Sequence, residues 1–265
     1  MPRSHFHTSL RRARAPRPRW CRARCPVRSP RPHVPMRTTG EWPRRRRYPR
    51  CVMSGPSTPT APSRILVIRH GQSTWNAQGR WQGQADPPLT AVGETQALQA
   101  ASVLAAGLLP TERLGAVITS DLQRAAVTAS IIADELGFAP VAMDKRLRER
   151  HAGEWQGLTR AEVDEQFPGY LASGQRPAGF EPSEAAGARA SSCLVGLAHR
   201  LDGASALVVS HGGILRALRV LLGISDDLAF ANLSGQWFEA HNNELTPGEV
   251  VELVTSERPI TTTPL

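Results

Sequence analysis

From about residue 64 onward, short apolar runs alternate with longer stretches of helical periodicity. An apolar run bounded by turn residues reads as a strand buried on both faces, and apolar positions three and four apart mark one face of a helix. Strands are therefore expected at 65–68 (Ile-Leu-Val-Ile), 116–118, near 140–143 and at 206–209 (Ala-Leu-Val-Val), with last strands at 236–240 and 250–254. A long glycine-containing loop follows the first strand. A helix then covers 96–104, with Ala97, Leu98, Ala101 and Leu104 on one face. Ser120-Asp121-Leu122-Gln123 has the spacing of a capping box and is expected to start a helix that ends near Gly137. Thr159-Arg160-Ala161-Glu162 repeats that spacing and opens a short helix. Residues 167–182 are rich in Pro and Gly and read as an exposed loop. The patterns at 184–201 and 213–222 are helical, the second closed by Gly223. Strands alternating with helices, joined by right-handed crossovers, predict an α/β fold: a three-layer α/β/α sandwich with a mostly parallel central sheet.

In such sheets ligands bind beyond the carboxyl ends of the strands. Four polar clusters sit there: Arg69-His70-Gly71, Ser120 through Arg124, Leu147-Arg148-Glu149, and Ser210-His211-Gly212-Gly213. Arg69, Arg124, His70, His211 and Glu149 in these clusters bring two arginines, two histidines and one carboxylate to one sheet edge. Imidazole beside guanidinium suits a phosphoryl group, one side chain attacking phosphorus while others hold its oxygens. Glycines at the start of the last helix let free backbone N–H groups approach an anion. Metal phosphatases gather several carboxylates and histidines at strand ends. Here arginines occupy those places, so neither a metal nor another cofactor is expected.

Composition changes the picture at the N-terminus. The 265 residues carry a formal net charge of +9, but residues 1–52 hold sixteen arginines and one acid, Glu41, a local charge of +15. The remainder, with 16 basic and 22 acidic residues, is mildly acidic. Residues 1–60 read as a disordered Arg/Pro-rich tail, 61–256 as the folded domain and 257–265 as a flexible C-terminal tail. A basic arm of this kind suits non-specific contact with nucleic acid or a transit peptide. Proline recurs too often for an amphipathic helix, however, and no folded binding module surrounds Trp20 or Trp42. The chain has 31 arginines to one lysine, Lys145, as a GC-rich coding sequence produces. The tail accordingly reads as upstream text, with Met53 as the true start. Three of the four cysteines (Cys21, Cys25, Cys51) fall in the tail, leaving Cys193 alone in the domain. That usage fits a reducing cytoplasm. No apolar run is long enough for a membrane span.

The motifs also carry a resemblance. Arg69-His70-Gly71-Gln72-Ser73 with Trp75-Asn76, Gly79-Arg80-Trp81-Gln82-Gly83-Gln84, Pro88-Leu89-Thr90, Ser120 through Ala125, Leu147-Arg148-Glu149 with Gly153-Glu154-Trp155-Gln156-Gly157, and Ser210-His211-Gly212-Gly213 occur in the order of the histidine phosphatase superfamily. The domain resembles that superfamily on its phosphoglycerate mutase-like branch, over nearly all of 64–254. The resemblance implies a nucleophilic His70 that forms a phosphohistidine, and a clamp of Arg69, Arg124 and His211 on the phosphoryl oxygens. Asn76, Gln82 and Gly212 would contact substrate, and Glu149 would serve as general acid and then base. It implies a small phosphate ester as partner, with a homodimer left open. A mutase would need a longer, more basic insertion between Glu149 and His211, whereas 158–205 is short, so hydrolysis is expected and mutase activity is the alternative. A third reading is a nucleic-acid-associated protein using the tail with a decayed site, against which intact His70, Arg124, Glu149 and His211 argue. Trp81 through Gln84 and the stretch from Glu149 to Thr159 are most similar to actinobacterial glucosyl-3-phosphoglycerate phosphatases and broad-specificity relatives. One departure stands out: the usual Gly-Glu-Ser before the last long helix is here Ser183-Glu184-Ala185, which leaves the role of Glu184 open. His151 and Glu154 are further candidates near the site.

Overall fold

A computed structural model describes residues 61–109, 113–225 and 228–254. The chain divides into two units, Met1–Met53 and Ser54–Leu265, and every element below lies in the second. The expected tails, 1–60 and 257–265, and the Met53 start lie outside the described residues.

The apolar runs at 65–68 and 206–209 form the centre of a six-stranded sheet. Strand β1 (Ser63–Arg69) pairs in parallel with β4 (Ser205–Ser210), Ile65 opposite Ala206 through Arg69 opposite Ser210. Beyond β4 lie β2 (Leu114–Thr119) and β3 (Ala142–Met143), both parallel. On the other side β5 (Ser234–His241) and β6 (Glu244–Glu252) pair antiparallel, giving the order β3-β2-β4-β1-β5-β6. Alternate side chains of β1 enter opposite cores. Ile65 and Val67 pack with α6 (Ser183–Leu201) and α7 (Gly212–Leu221). Leu66 and Ile68 pack with α2 (Ala91–Val103) and α3 (Gln123–Glu135). Helices therefore cover both faces of a mostly parallel sheet, the expected three layers.

Several details depart from the sequence reading. The loop after β1 contains a helical turn, α1 (Thr74–Ala77). Ser73 caps it, and the Asn76 side chain returns a bond to the Ser73 backbone, so an Asn closes a box that is usually Glu or Gln. Helix α2 starts at Ala91 rather than 96 because Thr90 caps it, its side chain accepting from the Gly93 N–H. Its buried face is Gly93, Ala97, Ala100 and Ala101, and Leu98 lies exposed. The box expected at Ser120 does not form. Ser120 is buried, its Oγ accepts from the Leu122 N–H in a turn, and α3 begins one residue later without a side-chain cap. The box at Thr159 does form and opens α4 (Arg160–Gln166). Residues 167–182 are more than an exposed loop: they include the turn α5 (Tyr170–Ser173), and Phe167 and Phe180 meet the buried Trp155 edge to face. Strand β6 begins earlier than expected, at Glu244. Asn242 and Asn243, both at positive φ, make the tight turn from β5, and Pro247 is tolerated because β6 is an edge strand. No helix among the described residues is long and apolar enough to cross a membrane.

Candidate active site

The carboxyl ends of β1, β2 and β4 deliver their polar clusters to one cavity. Arg69, His70, Asn76, Gln82, Arg124, Glu149 and Gly212 line it. His211 stands against His70 with ring centroids 5.1 Å apart, edge to face. Every residue expected from the sequence to handle a phosphoryl group is therefore in or directly behind one cavity.

The two histidines are buried, at 2 % and 0 % exposure. His70 Nδ1 lies 2.7 Å from its neighbour's carbonyl, Gly71 O, and Arg124 Nε donates to His70 Nε2 at 3.2 Å. A carbonyl only accepts, so Nδ1 carries the proton and Nε2 keeps its lone pair. Burial, reinforced by the charges of Arg124 and Arg69, holds the His70 imidazole well below the ordinary histidine range. His211 is depressed the same way, by burial first and then by Arg124 and His70. Both rings are neutral at pH 7. Among the described residues neither nitrogen of His211 has a hydrogen-bond partner, a costly arrangement for a fully buried ring.

Arg124 is fully buried as the second residue of α3. Its Nη1 and Nη2 donate to Ala85 O at 2.7 Å and Gly83 O at 2.9 Å, so the loop after α1 grips it from outside the sheet. Arg69 donates to Phe230 O at 2.7 Å. Burial lowers both guanidinium groups to about 10, and each remains charged at neutral pH. The Glu149 carboxylate accepts from its neighbour's Arg150 N–H at 2.8 Å and from the Gly213 N–H at 3.1 Å, which seats it on the N-terminus of α7. Asn76 Oδ1 takes bonds from Ser73 N and Ser73 Oγ, both at 3.1 Å. Those bonds leave the Asn76 amide N–H₂ as the end suited to an anion. Gln82 Oε1 accepts from the same serine hydroxyl at 2.8 Å.

The further candidates whose role was left open lie away from the cavity lining. His151, Glu154 and Glu184 are exposed and do not line it. His151 Nδ1 instead faces Gly179 O and Gly153 N in the turn beyond Glu149. The sequence reading also missed contributors. Arg150, Arg160 and Arg216 line the cavity. Arg216 lies three residues past Gly213 on α7, and that helical spacing would have found it. Asn232 Nδ2 donates to His70 O at 2.8 Å from an irregular segment before β5, where no sequence signal marks it. Among the described residues no group of three or more His, Cys, Asp or Glu side chains is placed to hold a metal ion.

Comparison with known proteins agrees with this geometry. The family model of the histidine phosphatase superfamily (branch 1) matches residues 65–246. A glucosyl-3-phosphoglycerate phosphatase of Mycolicibacterium vanbaalenii is 38% identical over 177 residues, 62% of this chain and 76% of that protein. A metal-independent phosphoserine phosphatase of Arabidopsis thaliana is 40% identical over 161 residues, 58% of this chain and 66% of that protein. Among solved structures, a mycobacterial glucosyl-3-phosphoglycerate phosphatase with bound VO3 superposes with a TM-score of 0.60 at 32% identity, covering 69% of this chain and 96% of that one. With two buried histidines, the arginines and the glutamate in place over the whole matched span, the chain belongs to branch 1 of the histidine phosphatase superfamily.

Proposed function

We propose that this protein hydrolyses small phosphate monoesters through a phosphohistidine on His70. The observation that carries the reading is the state of His70: neutral, its Nδ1 proton engaged by Gly71 O, its Nε2 lone pair turned toward Arg124. In the first step Nε2 forms a bond to phosphorus as the ester P–O bond breaks, and Glu149 gives its proton to the leaving alkoxide. In the second step water attacks the phosphorus, Glu149 takes the water proton, and the P–N bond breaks to release inorganic phosphate and neutral His70. Arg69, Arg124 and His211 hold the phosphoryl oxygens, with Asn76 and the N-terminal N–H groups of α7 at Gly212 beside them.

Charge narrows the substrate. Among the described residues, six arginines line the cavity (Arg69, Arg80, Arg124, Arg150, Arg160 and Arg216) against one carboxylate, Glu149. Arg80 is paired with Glu162 at 3.0 Å. A cavity lined this heavily by guanidinium groups favours an alcohol half that is itself anionic. Relatives named for glucosyl-3-phosphoglycerate and phosphoserine support that class. A cytoplasmic location fits the lone domain cysteine, Cys193. The test is a panel of phosphate monoesters with neutral and carboxylate-bearing alcohols, read as released phosphate. Preference for the anionic members is expected. Isomerisation of phosphoglycerate without phosphate release would instead establish the mutase alternative.

A further inference from the structure

Residues 144–151 carry Glu149 into the site without belonging to any sheet or α-helix, so side chains must fix their path. A 3₁₀ turn at Lys145–Leu147 is the one regular piece. From Arg146 to Glu149 four successive carbonyls are each taken by a side chain. Ser210 Oγ donates to Leu147 O at 2.8 Å. The other three go to one guanidinium, that of Arg189 on α6. Its Nη1 donates to Arg146 O and Arg148 O, both at 2.7 Å, and its Nη2 donates to Glu149 O at 3.1 Å. The remaining donors complete a two-pronged pair with Glu181, Nε to Oε1 at 2.7 Å and Nη2 to Oε2 at 2.8 Å. All five N–H groups of Arg189 are used.

Glu181 extends the brace to the far side of Glu149. Its Oε2 accepts from the His151 N–H at 3.1 Å, and its backbone carbonyl takes both Nε and Nη2 of Arg150. Arg189 and Glu181 are about four-fifths buried, at 21% and 18% side-chain exposure, and Arg189 does not line the cavity. Its helix is anchored in the core by Ala186, Ala190 and Cys193. Arg189 on α6 thus grips the backbone up to Glu149, and Glu181, two residues before the helix, holds it just beyond. A lysine cannot reproduce this, since an ammonium has three donors and no planar fork.

We infer that Arg189, backed by Glu181, is a positioning residue that fixes the Glu149 carboxylate for proton transfer to the leaving group; the inference rests on the phosphatase reading above. A displacement of about 1 Å in a reacting group reduces rate by on the order of 100-fold. That reduction should appear only where Glu149 matters, with a leaving alkoxide that needs a proton and not with p-nitrophenolate.

The experiment measures pre-steady-state phosphoenzyme formation from an alkyl phosphate and from p-nitrophenyl phosphate. The proteins are wild type, Glu149→Gln, Arg189→Lys, Arg189→Met and the double variant Glu149→Gln/Arg189→Met. For both Arg189 variants the alkyl rate is expected to fall ~10- to 100-fold and the aryl rate less than ~3-fold. Arg189→Met should add little to Glu149→Gln, because one acts through the other. Equal losses on both substrates, multiplicative losses in the double variant, or wild-type rates in Arg189→Lys and Arg189→Met would each overturn the inference. Arg189→Lys keeps the charge, and its melting temperature and aryl burst show whether the protein is folded. If Glu149→Gln itself fails to discriminate the substrates, the phosphatase mechanism is at fault. If it discriminates and the Arg189 variants do not, only the role of Arg189 is lost.

Discussion

Gly213→Ala should damage the enzyme while leaving its fold intact. Gly213 is the second residue of α7, and its φ is not positive, so alanine suits the backbone there. Helix propensity alone predicts a gain of up to ~1 kcal/mol. A Cβ at this position, however, would run into Oε1 of Glu149, with the carboxylate carbon at 3.0 Å and Oε2 at 3.3 Å. The carboxylate is the end of a flexible side chain, so it would move and the helix would stay. Retreat to ordinary van der Waals separation requires about 1 Å, which breaks the bonds from the Gly213 and Arg150 N–H groups. A general acid misplaced by that distance loses on the order of 100-fold in rate. The expected result is a melting temperature at or slightly above wild type, with phosphoenzyme formation from an alkyl phosphate slowed about 100-fold and formation from p-nitrophenyl phosphate nearly unchanged. Rapid-quench measurement on the two substrates beside a thermal melt decides it. A wild-type alkyl rate in Gly213→Ala would refute the reasoning, since it would mean that the seat on α7 is not where Glu149 works.

Three further outcomes are expected. Quenched reactions should contain acid-labile, alkali-stable phosphate on the protein, and His70→Ala should lose both label and turnover. Because His70 and His211 have depressed folded-state values, the unfolded chain binds more protons below about pH 6.5. Their contribution to stability is therefore complete above that pH and declines as pH falls, by at most about 1.4 kcal/mol per pH unit for each histidine. Denaturant melts of wild type and His211→Asn between pH 7 and 5 should show the variant with the shallower slope. A chain starting at Met53 should fold and turn over normally, because every described element begins at or after Ser63, and it should lose most non-specific affinity for nucleic acid with the +15 of residues 1–52. A filter-binding titration and the phosphatase assay check both parts.

The central strands and the polar residues gathered at the cavity beyond them were legible in the sequence because their signals are local. Ile65–Ile68 and Ala206–Val209 are uninterrupted apolar runs buried on both faces, and His70 and His211 follow directly where β1 and β4 end. Periodicity failed where a single polar residue or a tertiary contact set the boundary. Thr90 starts α2 five residues before its first expected position, and the Ser120 hydroxyl is consumed in a turn rather than capping α3. The loop at 167–182 looked solvated because Pro and Gly dominate it. Yet Phe180 sits 5.7 Å from Trp155 and 6.0 Å from Trp81, a contact between segments that share no sequence pattern. No local pattern marks Arg189, because its partners are backbone carbonyls about forty residues away.

The same contrast explains how the site is maintained. A buried ring whose nitrogens have no partner among the described residues, such as His211, disfavours folding by about 1–3 kcal/mol. Desolvated guanidinium groups at Arg69 and Arg124 add to that penalty. These features lie on one side of a sheet whose central strands are almost wholly apolar, with Ile65, Leu66, Val67 and Ile68 at 0 % exposure and Ala206 through Val209 likewise. The apolar sheet supplies stability that the cluster at its edge does not. Loop carbonyls at Gly83, Ala85 and Phe230 then hold the cations in place without neutralising them. Carbonyl partners matter here. A carboxylate beside Arg124 would satisfy it more strongly but would also repel a phosphate, whereas a neutral acceptor fixes the guanidinium and leaves its charge for the substrate. The carboxylate of Glu149 is in turn held by the neutral N–H groups of Arg150 and Gly213. In the proposed mechanism, neutral dipoles at both places let one cavity keep arginines for the phosphoryl group and an acid for the leaving oxygen.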